Sequence, residues 1–180
     1  LLVFLGKLDF ASCPQVDMVR KTASLFPHGD VNGKTLGVAM EDELSGNLTL
    51  SFNMLSVDAA SMDGEFDGRI PVCGNDENVL EVVRARMAEQ GLTLLNKALI
   101  PPHHVSADSY FVKTLLAAFA LYTGRKGECQ ALGGGTYVHH LENGVAFGAA
   151  MPETDNKMHG PDEFAVVDEL LVSAKIFAQA

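Results

Sequence analysis

Leu48, Leu50, Phe52 and Met54 alternate with Thr49, Ser51 and Asn53, and this run constrains the fold more than any other stretch. A period of two places successive side chains on opposite faces, so the segment reads as a strand with one buried and one wet face. An Asp63-Gly64 pair inside residues 60–64 reads as the turn that reverses it. Phe66, Ile70 and Val72 then alternate with Glu65, Asp67, Arg69 and Pro71, which predicts an antiparallel return strand. Gly74-Asn75-Asp76 can cap a helix over residues 77–90, with Val79, Leu80, Val83 and Met87 inward and Gly91 ending it. Residues 92–100 read as a further strand. The order β-β-α-β over residues 45–100 describes an antiparallel sheet with helices on one side, a ferredoxin-like unit whose first strand would precede Leu1.

Upstream, residues 1–12 and 15–26 read as one broken helix or two short ones. The break falls at Cys13-Pro14, because proline disfavours helix in the residue before it. Pro101-Pro102 marks the domain boundary, giving residues 1–101 and 102–180. Beyond it the pattern predicts a helix over 108–123, capped by Ser106 or Asp108, carrying Tyr110, Phe111, Leu115, Ala118, Phe119 and Tyr122 and ending at Gly124. Strands are expected at 129–132 and 145–150, followed by a helix from 168 that buries Leu170, Leu171, Ala174 and Phe177. Helix, strand, strand and helix around two loops suggest part of a larger α/β sheet, since two strands make no stable sheet alone. The fold class is therefore α+β, joined to a C-terminal α/β segment.

Charge narrows the partners. The net charge of -10 argues against nucleic acid and anionic membrane surfaces, both of which need basic patches. Cys13, Cys73 and Cys129 are far apart with no C-x-x-C, which points to a reducing, cytoplasmic setting and away from a cysteine-held zinc. Apolar runs such as Leu115–Tyr122 are far short of a membrane span. The opening Leu1-Leu2-Val3-Phe4-Leu5 lacks Met, a basic front and a cleavage motif, so the chain reads as beginning inside an element.

Chemistry concentrates late in the chain. Gly133-Gly134-Gly135-Thr136 follows an apolar run and could offer N–H groups and a hydroxyl to a carboxylate or oxyanion; the alternative is a tight turn. It is not a nucleotide-binding loop, because the G-x-x-x-x-G-K-[ST] spacing is absent. His159 stands among Glu153, Asp155, Asp162 and Glu163, a mixture suited to a metal, or else a surface histidine in an acidic loop. Arg69 is either a fork for a substrate carboxylate or an exposed arginine paired with Glu65 or Asp67. The adjacent pairs His103-His104 and His139-His140 are weaker metal candidates, since neighbouring residues point in different directions.

Taken in order, several motifs resemble the PepV-type dipeptidases of the dinuclear-zinc aminoacylase, carnosinase and glutamate carboxypeptidase family. They are Leu36-Gly37-Val38-Ala39, Asp42, Gly46-Asn47-Leu48-Thr49, Arg69-Ile70-Pro71, Gly133–Tyr137, Gly144–Gly148, Met158-His159 and Glu163-Phe164. The resemblance implies a catalytic domain interrupted by a lid, with residues 1–101 as most of the lid and 102–180 as the returning segment. It implies that His159 is a zinc ligand, that Arg69 grips the substrate carboxylate, and that Gly134, Gly135 and Thr136 bind substrate backbone. It implies two zinc ions per full-length enzyme and a dipeptide or short-peptide substrate. The remaining ligands, the bridging Asp and the Glu base would lie in an N-terminal half that this chain lacks, so it carries no catalytic residue of its own and is expected to be inactive alone. Deacylation of N-acyl amino acids and a non-catalytic interaction module are the competing readings.

Overall fold

The computed structural model describes residues 1–147 and 150–180. They fall into two units, one of residues 1–103 with 131–134, the other of residues 104–130 with 135–180. The architecture is α+β, with helices and small antiparallel sheets.

In the first unit α1 (Leu2–Lys7) and α2 (Pro14–Leu25) are separate helices. Cys13 caps α2 in extended conformation and Pro14 takes the first helical position, where its missing N–H costs nothing. A Cβ added at Gly6 would stand 3.4 Å from Ala23 Cβ, so small residues set the approach of the two helices. Arg20 closes the pair by donating to the carbonyls of Gly6 and Leu8 at the end of α1.

Two hairpins follow. β1 (Glu41–Asp42) pairs with β2 (Gly46–Asn47), and β3 (Thr49–Val57) pairs with β4 (Met62–Arg69), both antiparallel. The predicted alternation holds through Phe52 and then slips. Phe52 faces Phe66, but the next partners are Met54 and Glu65, so Asn53 is an extra residue in the ladder. A one-residue insertion reverses the facing of everything after it. Met54 is accordingly 60% exposed, and Leu55 takes the half-buried position. The turn also lies earlier than expected. Asp63-Gly64 belongs to β4, and the reversal occurs at Asp58–Ser61, where the Asp58 carboxylate accepts the N–H groups of Ala60 and Ser61. β4 stops at Arg69, and Val72, expected inward, is exposed.

Asn75 caps the next helix as the sequence indicates. Its side chain accepts from Glu77 and Asn78, and Asn78 Oδ1 accepts in return from the Asn75 N–H. A π-helical turn (Asp76–Leu80) leads into α3 (Glu81–Glu89), and Gly91 follows at φ +74°, the left-handed conformation that suits glycine after a helix. Residues 92–100 form no ladder, contrary to the expected strand. Arg84 holds them instead, donating to the carbonyls of Leu94 (3.1 Å) and Asn96 (2.8 Å), while Asp76 accepts the Leu99 N–H. A side-chain fork has taken the place of a neighbouring strand. Leu25, Leu36, Val38, Leu48, Val79, Leu80, Val83 and Leu94 form the buried core, with Phe26 tilted against Phe52 and Phe66 at its edge.

In the second unit α4 (Tyr110–Thr123) is capped by Ser109, whose hydroxyl accepts the Val112 N–H; the cap is one residue beyond Asp108 and three beyond Ser106. Gly124 at φ +69° ends it. α5 (Val167–Gln179) packs through Ser173 and Ile176, and α4 through Val112, Leu115 and Ala118. Phe147 stands edge-on to both Phe119 and Phe177. The face expected to be buried on α5 was therefore misassigned. Leu170, Leu171, Ala174 and Phe177 are all exposed, as are Tyr110, Phe111 and Tyr122 of α4, because the helices meet along one stripe and their remaining apolar residues have no cover within the unit. Residues 129–132 and 145–147 form no strand, having no ladder partner among the described residues; Gly148 and Ala149 of the expected second strand lie outside them.

Candidate functional site

Arg69 is the last residue of β4, opposite Thr49. Its Nη2 lies 2.9 Å from Asp67 Oδ2, both side chains 48% exposed. Residues two apart on a strand share a face, which is why these two meet. A Cβ added at Gly133 would stand 3.9 Å from Cβ and Cγ of Arg69, so the start of the glycine run lies against the arginine stem. The geometry thus puts the stem of Arg69 beside Gly133, while its half-exposed guanidinium pairs with Asp67.

The glycines serve this by absence of bulk. None of Gly133, Gly134 and Gly135 has positive φ, so left-handed backbone is not what the run supplies. A Cβ at Gly134 or Gly135 would meet nothing within 4 Å, which leaves the backbone open to approach. Gly134 groups with the first unit, and Gly135 and Thr136 with the second. Thr136 precedes a 3-10 turn (Tyr137–His140), and its backbone N–H and carbonyl both lie 3.3 Å from Nδ1 of His139. His139 is thereby engaged locally.

His159 sits on an exposed loop at φ +64°, with Lys157 and Asp162 also left-handed. Such a backbone is costly for residues with a Cβ and persists where neighbouring bonds fix it. Those bonds are present. Asp155 Oδ1 accepts the Lys157 N–H and Asn156 Oδ1 the Met158 N–H. Gly160 donates to the Lys157 carbonyl at 2.7 Å, and Phe164 closes the loop onto the Asn156 carbonyl.

Two of the acids around His159 are turned to other tasks. Glu153 pairs with Arg125 at 2.7 Å, and that hydrogen bond holds its carboxyl below the usual carboxylate range. Asp155 shapes the turn. Among the described residues no three His, Cys, Asp or Glu converge on a point where a metal could sit. The residues in hand therefore do not by themselves fit a dinuclear zinc centre; His159 offers one imidazole.

Sequence reasoning missed Glu169. From the first turn of α5 it accepts the Met151 N–H through Oε2 (3.0 Å) and the Thr154 hydroxyl through Oε1 (2.5 Å). Its place in a first helical turn was the available signal, since acids are favoured there. It also lines an open cleft of about 280 Å³ with Tyr122, Arg125, Met151 and Asp168. Among the described residues no helix is long and apolar enough to cross a membrane.

No protein-family profile matches the chain. Curated relatives do. It is 37% identical over 155 residues to "Putative dipeptidase YtjP" of Bacillus subtilis (strain 168), a match covering 84% of this chain and 32% of that protein. It is 32% identical over 154 residues to "Beta-Ala-Xaa dipeptidase" of Lactobacillus delbrueckii subsp. lactis, covering 85% of this chain and 33% of that protein. The chain thus spans about a third of the length of the curated relatives it matches.

Proposed function

We propose that this chain is the lid and C-terminal segment of a zinc-dependent dipeptidase of the PepV type, acting on dipeptides or short peptides. The observation that carries the reading is the match to relatives named dipeptidases over 84% of the chain. The order of Arg69, the glycine run and His159 supports the finer assignment. In this reading Arg69 takes the substrate's carboxylate, for which a planar guanidinium is suited. The open amides of Gly134 and Gly135, with the Thr136 hydroxyl, hold its backbone. His159 supplies one imidazole ligand, and the other ligands and the base come from the polypeptide outside this segment. Two zinc ions, when bound, would polarise the scissile amide and activate a water. Binding groups lie in this segment and the chemistry lies elsewhere. The three free cysteines accord with a reducing, cytoplasmic location.

The test is zinc stoichiometry beside intact mass, on the 180-residue chain and on a chain extended to the relatives' length. Two zinc ions in the long form, none in the short one, and loss of zinc in the long His159→Ala variant are expected. Tightly held zinc in the short chain would overturn the assignment of ligands. A panel of dipeptides and N-acetyl amino acids then separates peptide hydrolysis from deacylation, and no hydrolysis of either by the zinc-loaded long form would favour an interaction module.

A further inference from the structure

The loop that presents His159 is held at its base from two helices. Arg125, just past the end of α4, pairs with Glu153 at 2.7 Å. Glu169, in the first turn of α5, uses one carboxylate oxygen for the Met151 N–H and the other for the Thr154 hydroxyl. The two contacts differ in kind. The Arg125–Glu153 pair is exposed, with side chains 51% and 68% accessible, and solvent screens it. Glu169 is half-buried and makes two charge-assisted bonds, each with its own oxygen, to the entry of the loop.

From that base the chain runs through successive side-chain and backbone bonds. Thr154 N–H donates to the Met151 carbonyl, Asn156 N–H to the Thr154 carbonyl, and Asn156 then receives both Met158 N–H and Phe164 N–H. Each step fixes the next, and the sequence ends with His159 in left-handed conformation. A histidine that needs an unfavourable backbone depends on whatever enforces it.

We propose that Glu169 is a positioning residue for His159, its carboxylate fixing residues 151–154 so that the loop beyond presents the imidazole at one place. The proposal deepens the reading of His159 as a ligand and rests on it for its consequence. The fixing of the loop itself can be measured apart from any metal.

The experiment is backbone ¹⁵N relaxation on the full 180-residue chain and its Glu169→Ala, Glu169→Gln, Thr154→Val and Thr154→Ser variants. In the parent protein the amides of Lys157 to Gly160 should have order parameters near about 0.85, as in rigid backbone, and in Glu169→Ala they should fall below about 0.6. Thr154→Val removes one of the two bonds and should give intermediate values. Glu169→Gln can keep both contacts, its oxygen accepting the Met151 N–H and its amide donating to the Thr154 oxygen, but loses the charge that strengthens them, and should fall nearer the parent. Thr154→Ser keeps the hydroxyl and should restore the parent pattern. Leu115 in α4 and Ile176 in α5 should not change in any variant. Unaltered order at His159 in Glu169→Ala would overturn the proposal, as would equal loosening of loop and helices. A chain extended to the relatives' length separates this from the ligand reading. There Glu169→Ala should weaken zinc binding about 10–100-fold, the usual effect of losing a group that orients a ligand. If the loop loosens as expected but His159→Ala leaves zinc content unchanged, the anchor stands and the ligand assignment falls.

Discussion

The backbone N–H of Cys73 donates to Asp42 Oδ2 at 3.1 Å, joining two positions 31 residues apart in the chain. The other oxygen of Asp42 accepts from Leu44 and Ser45, and the Ser45 hydroxyl in turn accepts the Val72 N–H. One carboxylate thus ties the β1–β2 hairpin to the chain leaving β4. The Ser45 amide foremost, with the Ser45 hydroxyl and Cys73, lowers the Asp42 pKa from 3.8 to about 2. A carboxylate whose folded pKa lies below its unfolded value stabilises the fold above the unfolded value and loses that contribution as pH falls through the folded one. Stability should therefore decline between about pH 4 and pH 2. In urea titrations at pH 5, 3 and 2, Asp42→Asn should lower the midpoint at pH 5, and the gap to the parent should close towards pH 2. A gap independent of pH would show that the charge is not what matters.

The same contact acts on the thiol. Loss of surrounding water, then the hydrogen bond and charge of Asp42, push the Cys73 pKa up, which lowers its thiolate fraction at neutral pH. Alkylation of Cys73 by iodoacetamide at pH 8 should run faster in Asp42→Asn than in the parent, read peptide by peptide by mass spectrometry. An unchanged rate would mean that the carboxylate does not govern the thiol.

Core position outweighs hydropathy. Leu36 is completely buried among Val38, Leu48 and the α3 residues, whereas Leu171 is 56% exposed on α5. Leu36→Ala should cost about 2–5 kcal/mol, the transfer term plus the cavity left behind. Leu171→Ala should stay within about 0.5 kcal/mol. Denaturant midpoints of the two variants check the contrast, and equal losses would refute the burial pattern.

Local rules made much of the first unit legible. Proline at the start of α2, Asn75 at the cap before α3 and Gly91 after it are signals carried by single residues, and the structure places each there. Failures arose where a distant residue decides. Nothing near Asn53 announces the bulge that turns Met54 outward; its register is set by pairing with Phe66 and Glu65. Residues 92–100 have strand composition, but Arg84 satisfies the carbonyls that a neighbouring strand would have used. The faces of α4 and α5 could not be assigned because both helices are apolar on more sides than one unit can cover. At the candidate site the residue types were readable and their partners were not. Glu153 looked like a companion of His159 and is bound to Arg125 instead.

Arg69 and Asp67 yield the prediction closest to function. Their 2.9 Å pair joins two half-exposed side chains, an arrangement worth about 0–1 kcal/mol in water. A substrate carboxylate offered to the same guanidinium competes with Asp67 and wins if it brings two oxygens to the fork and further contacts of its own. If Arg69 takes the substrate carboxylate as proposed, then in the extended protein assayed with zinc Arg69→Ala should raise KM for dipeptides about 10–100-fold, the loss of one charge-assisted hydrogen bond being worth about 1.5–3 kcal/mol. Arg69→Lys keeps the charge but loses the planar fork, and should recover part of this. Asp67→Asn removes the competitor and should lower KM by at most about 5-fold. Dipeptide amides, lacking the carboxylate, should show little response to any of the three. Steady-state kinetics on matched acids and amides reads all of these together. If acid and amide substrates respond alike, Arg69 does not grip the carboxylate, and its pairing with Asp67 is simply a surface ion pair.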